Sequence, residues 1–121
     1  MSDSFGEVLR DIASRMPGVV ALSLVGSDGI PVETIGANGE PPIEPIGAEL
    51  TGFLKNLVTA DMVSQPGTFR QLDVETKDQR VFLAAVTPEY YLLLLVSQDA
   101  NQGRATYELK RAASRLEREL S

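Results

Sequence analysis

Apolar residues in this chain fall into helical stripes and strand-length runs, and two of the runs stand almost back to back. They are Val81-Phe82-Leu83-Ala84-Ala85-Val86 and Tyr90-Tyr91-Leu92-Leu93-Leu94-Leu95-Val96, with only Thr87-Pro88-Glu89 between them. A parallel crossover needs a dozen or more connecting residues, so the pair is an antiparallel hairpin. Antiparallel strands commonly alternate because one face is wet. Two that are apolar throughout call for helices on both faces of their sheet.

The remaining pattern supplies those helices. Phe5, Val8, Leu9, Ile12 and Met16 recur at helical spacing, Ser4 and Glu7 have the form of a capping box, and Pro17-Gly18 stops this first helix after about Arg15. Val19-Val20-Ala21-Leu22-Ser23-Leu24-Val25 then reads as a central strand. Gly26-Ser27-Asp28-Gly29 carries an Asp-Gly turn, after which Ile30-Pro31-Val32-Glu33-Thr34-Ile35 is a shorter strand that Pro31 assigns to a sheet edge. Breaker-rich residues 36–42 form a loop. From Ile46, the residues Leu50, Phe53, Leu54, Leu57 and Val58 lie on one side of a middle helix ending near Asp61.

Pro66-Gly67 breaks the chain again, and Thr68-Phe69-Arg70-Gln71-Leu72-Asp73-Val74-Glu75-Thr76 alternates in part, as a half-exposed or edge strand does. Thr76-Lys77-Asp78-Gln79 turns into the apolar hairpin. Residues 97–101 offer several caps for a last helix whose face carries Ala105, Leu109, Ala112, Ala113, Leu116 and Leu120. The expected fold is one α/β (α+β) domain over residues 1–121, in the order αββαβββα. Its five-stranded antiparallel sheet has helices one and three on one face and helix two on the other.

Five strands at about 4.8 Å spacing make a sheet roughly 20–25 Å wide, and a helix covers about 10 Å of it. The middle helix therefore leaves its face about half bare, while its own stripe, about 160° wide, exceeds what one packing contact uses. That much exposed apolar surface implies a partner. The simplest is a second copy related by a two-fold axis.

Composition narrows the chemistry. With 43% hydrophobic and 23% charged residues among 121, this is an ordinary globular chain. A net charge of −6 with 11 Lys and Arg makes nucleic acid a poor partner, because binding it needs a concentrated basic face. There is no Cys and no His, which leaves catalysis to carboxylates, Lys, Tyr or hydroxyls. No enzyme, no metal and no cofactor is expected. The first residues show no basic-then-apolar leader and no run approaches the ~20 residues of a membrane span, so a cytoplasmic protein without membrane insertion is expected.

Four polar groupings invite chemistry. Gly26-x-x-Gly29 lacks the Gly-Lys-Ser/Thr of a phosphate cradle and reads as a hairpin turn. Glu33, Glu40, Glu44 and Glu49 surround the loop before the middle helix without ordered ligand spacing, and solubility explains them. Arg104, Arg111, Arg115 and Arg118 project within about 60° of one another on the last helix. They are either a solvated side, with Arg104–Glu108 and Arg115–Glu119 as pairs one turn apart, or a docking stripe for an acidic protein surface. Tyr90 and Tyr91 should point to opposite faces of their strand, while Met16, Ala60 and Met62 read as packing residues.

The segments Gly18-Val19-Val20-Ala21-Leu22-Ser23-Leu24-Val25-Gly26-Ser27-Asp28-Gly29-Ile30-Pro31-Val32 and Gln102-Gly103-Arg104-Ala105-Thr106-Tyr107-Glu108-Leu109-Lys110-Arg111-Ala112-Ala113, in this element order, resemble the Roadblock/LC7 family. That family includes dynein light chains and bacterial MglB regulators of Ras-like GTPases. The resemblance implies a non-catalytic homodimer in which middle helices pair and the third strands join two sheets. Its interface would use Leu50, Phe53, Leu54, Leu57, Val58, Phe69 and Leu72. It further implies a platform for a Ras-like small GTPase, whose GTP hydrolysis or nucleotide exchange it modulates. The alternatives are a structural light-chain scaffold without effect on nucleotide turnover, and a small-molecule sensor with a cavity among Leu22, Phe82, Leu93 and Tyr91.

Overall fold

A computed structural model describes residues 2–16, 18–36, 44–59 and 70–120. The elements follow in the expected order: α1 (Ser2–Ser14), β1 (Val19–Gly26), β2 (Pro31–Gly36), α2 (Glu44–Thr59), β3 (Gln71–Glu75), β4 (Gln79–Thr87), β5 (Tyr90–Ser97) and α3 (Gln102–Leu120). One start is misplaced by the sequence. Helix α1 begins at Ser2, so Ser4 lies inside its first turn and is not the cap of a capping box. Helix α2 starts two residues before Ile46, with Pro45 in the first turn, where a missing N–H costs nothing. Asn101 caps α3, its Oδ1 accepting from the Arg104 N–H at 2.9 Å. Strand β3 is shorter than its alternating pattern, Gly36 of the expected loop ends β2, and Pro17, residues 37–43, Ala60, Met62, Pro66, Gly67, Thr68 and Phe69 lie outside the described residues.

The sheet order is β2-β1-β5-β4-β3, antiparallel throughout. The two apolar runs thus occupy inner positions, paired through Phe82 with Leu94 and Leu83 with Leu93. Strand β2, with Pro31, is an edge as expected. Its turn from β1 closes through Gly26 N–H to the Ile30 carbonyl at 2.8 Å and Gly29 N–H to the Gly26 carbonyl at 2.9 Å, with Gly29 at φ 90°.

Strand periodicity sorts the core into two layers. Leu22, Leu24, Phe82, Leu92 and Leu94 pack with Leu9, Ile12, Leu109 and Leu116, so α1 and α3 share one face. Val25, Val81, Leu83, Tyr91, Leu93 and Leu95 form the second layer with Leu54 of α2. Ser23 is a buried polar residue on this side, 2.9 Å from the Thr34 hydroxyl. Tyr90 and Tyr91 diverge to opposite layers as alternation requires.

The expectation that half of the α2 face lies bare is too strong. Leu83, Leu93 and Leu95 are fully buried within the single chain, so the inner strands need no second molecule. The shortfall is marginal: Val20, Leu72, Val74 and Ala85 are only half-buried. Because the layers meet through tightly packed inner residues, Phe82→Ala should lower stability by about 3–5 kcal/mol, read from urea unfolding.

Candidate interaction surfaces

Helix α2 sits on the sheet through small residues. A Cβ on Gly47 would stand 3.2 Å from Leu93 Cδ2, and one on Gly29 would meet Thr51 Oγ1 at 2.9 Å. Among the described side chains of this helix, Gly47, Thr51 and Leu54 are the buried positions, and the Thr51 hydroxyl donates to the Ala48 carbonyl at 3.0 Å. The sequence stripe was centred instead on larger side chains. Gly47 and Thr51, four residues apart, were the overlooked signal of a close helix approach.

Besides Gly47 and Thr51, Leu54 packs into the second layer, and Ile46 and Leu50 rest partly against it. Ile46 and Leu50 are half-buried and Phe53 is 46% exposed. Ala48 and Thr51 lie against Gly29 of the β1–β2 turn, so by helical geometry Ile46 and Phe53 lean toward the opposite, β3 side of the sheet. Half-buried Leu72 and Val74 of β3 lie on this same sheet face.

The second surface joins α1 and α3. Arg115 Nη1 meets Asp11 Oδ2 at 2.6 Å, and Arg15 Nε reaches the same oxygen at 3.3 Å. Arg104 holds Glu108 at 3.3 Å and also donates to the Arg15 carbonyl at 3.0 Å. Glu108, only 6% exposed, receives Arg111 as well, at 3.8 Å. The expected Arg104–Glu108 pair is therefore present, whereas Arg115 turns to Asp11 rather than Glu119. Geometry explains the choice: α1 packs beside α3 and brings Asp11 to Arg115. Hydrogen bonds from Arg115 and then Arg15 hold the Asp11 carboxyl below its ordinary value of 3.8.

Solved structures of similar shape agree in kind. MglB from Myxococcus xanthus matches with a TM-score of 0.85 at 12% identity, covering 99% of this chain and 90% of that one. MglC from Myxococcus xanthus matches with a TM-score of 0.68 at 27% identity over 98% of this chain and 99% of that one. For a Roadblock/LC7 domain from Streptomyces avermitilis the values are 0.79 and 18%, over 94% and 95%. The fold is that of a Roadblock/LC7 domain. No family model matches the chain, and no curated protein does. The family resemblance read from residues 18–32 and 102–113 is upheld by these structural neighbours.

Of the residues that the Roadblock/LC7 resemblance assigned to pairing, Leu50 and Leu72 are half-buried, Phe53 is exposed and Leu54 belongs to the core. Phe69 and the side chains of Leu57 and Val58 lie outside the described residues. Leu54 is thus a packing residue of the single chain. The carboxylates do not assemble: Glu33 Oε2 lies over Gly6 of α1, on the sheet face opposite Glu49 of α2, and Glu40 and the Glu44 side chain are outside the described residues. The imagined sensor cavity fails on topology. Leu22 and Phe82 belong to one layer and Tyr91 and Leu93 to the other, with the sheet between them.

Two substitutions test these contacts. Gly29→Ala places a side chain at positive φ against Thr51 and should cost about 1–2 kcal/mol or more in urea unfolding. Asp11 has a folded-state pKa below its unfolded one, so its contribution is present above pH 3.8 and disappears as pH falls through the lowered value. Asp11→Asn should therefore melt below the wild type at neutral pH, with the gap closing in acid; thermal scans across that range measure it.

Proposed function

We propose that two copies of this chain pair through α2 and the β3 side of the sheet, and that the dimer is a non-catalytic adaptor for a Ras-like small GTPase in the cytoplasm. In this reading the dimer modulates GTP hydrolysis or nucleotide exchange by the GTPase it holds. The observation that carries the pairing is Phe53, an aromatic 46% exposed beside half-buried Ile46 and Leu50. Burying the exposed half of this ring against a second copy yields about 1 kcal/mol, and two-fold symmetry delivers it twice.

An adaptor role is supported by what the surfaces offer. Exposed apolar and cationic groups suit protein contacts, while Glu33 and Glu49 stand on opposite sheet faces and the chain has no His or Cys. The GTPase itself is what the Roadblock/LC7 resemblance implies, and the likeness to MglB and MglC structures supports that resemblance. One solved MglB has a tetrameric arrangement, which is an assembly of that protein. The net charge of −6 argues against nucleic acid as the partner. Among the described residues no helix is long and apolar enough to cross a membrane.

Sedimentation should find the wild type dimeric and Phe53→Asp monomeric, because a charge buried without a partner opposes association. A wild type that stays monomeric at high micromolar concentration would overturn the pairing. For the adaptor role, GTP hydrolysis and nucleotide release by a bound Ras-like GTPase should change when the protein is added. Binding without a change in either rate would leave a light-chain scaffold.

A further inference from the structure

The groove between α1 and α3 holds about 490 Å³ and gathers Arg15, Lys110, Arg111, Arg115 and Arg118 along its walls. Five of the chain's 11 Lys and Arg thus meet at one place on a molecule of net charge −6. Internal pairing consumes only part of this charge. Asp11 is shared by Arg15 and Arg115, and Glu108 by Arg104 and Arg111. Lys110 and Arg118 form no ion pair among the described residues. Tyr107, 59% exposed, stands on the same wall with the Arg111 guanidinium 5.7 Å from its ring centre.

We infer that this groove receives a short acidic segment of a protein partner. Carboxylates of the segment pair with Lys110, Arg111 and Arg118, and an apolar side chain lies between the Tyr107 ring and Ile12. Size and charge choose this occupant. From Lys110 to Arg118 the helix rises about 12 Å, the reach of roughly four extended residues. A nucleic acid or an anionic bilayer presents negative charge well beyond that length, toward an otherwise acidic surface that repels it. A compact group of carboxylates meets only the cations. Of the arginines proposed from sequence as a docking stripe, Arg111 and Arg118 remain outward, whereas Arg104 and Arg115 mainly tie α3 to α1. The groove lies on the sheet face opposite α2, so this inference stands apart from the pairing and from the GTPase reading.

The probe is a fluorescein-labelled dodecapeptide of Glu and Asp with a central Phe, titrated with the full chain and followed by anisotropy. Its counterpart replaces Glu and Asp with Gln and Asn. The acidic peptide should bind, weaken with added salt, and lose at least about tenfold in affinity with Arg111→Gln/Arg118→Gln. Arg10→Gln/Lys77→Gln, which removes equal charge elsewhere, should stay within about twofold, and the neutral peptide should not bind. Because Arg111 contacts buried Glu108, Arg118→Gln alone serves if the double variant melts early; about threefold is expected from it. Equal binding by all variants, or none by the wild type, would overturn the inference. So would tighter binding of oligo-dT or phosphatidylserine vesicles at the same arginines. Dissociation of a wild-type oligomer by Arg111→Gln/Arg118→Gln would do the same, since the occupant would then be a second copy.

Discussion

Strand β5 presents Leu92, Leu94 and Val96 to one face of the sheet and Tyr91, Leu93 and Leu95 to the other, none of them more than 4% exposed. At roughly 1.5–3 kcal/mol for each such side chain removed from water, neither face can be left wet. The fold is the response to that demand. A helix layer is required above and below an antiparallel sheet, and the three helices among the described residues are divided between the two faces.

The division is unequal, and it leaves different surfaces on the two sides of the sheet. Among the described residues, 16 buried residues form one cluster with α1 and α3, and 8 form the cluster on the α2 face. On the crowded side, the helices are joined by charge as well as by apolar contact. On the other side, α2 lies close to the sheet through Gly47 and Thr51, Leu54 enters the core, and Phe53 is turned outward. One protein therefore offers an apolar ridge on one side and a cationic groove on the other. Such surfaces suit different partners and need not compete.

Much of the architecture was legible because strands and helices impose different periods. The apolar hairpin, the Pro31 edge and the Asp28-Gly29 turn each depend on a few neighbouring residues, and each was readable. What escaped depended on contacts distant in sequence. No local rule reports that Asp11 stands opposite Arg115, or that Leu54 belongs to the core while Phe53 beside it does not. The half-bare sheet was an overestimate because counting layers treats a helix as a cylinder and ignores how deeply Gly47 lets it settle. The α1 start was misread for the opposite reason: Ser4 and Glu7 satisfy a local signature that the backbone does not use.

The hydrogen bond from Arg104 to the Arg15 carbonyl bears on the order in which the molecule assembles. Helix α1 has no basic residue in its last turn, and this guanidinium, 89 residues away, joins Arg15 and Arg115 in placing positive charge near its C-terminal end. Such closure is entropically slow until the intervening strands have drawn α3 into place. Helix α1 packs chiefly on β1 and β2, which follow it directly, so the bond from α3 closes over an element that its neighbours in sequence already hold.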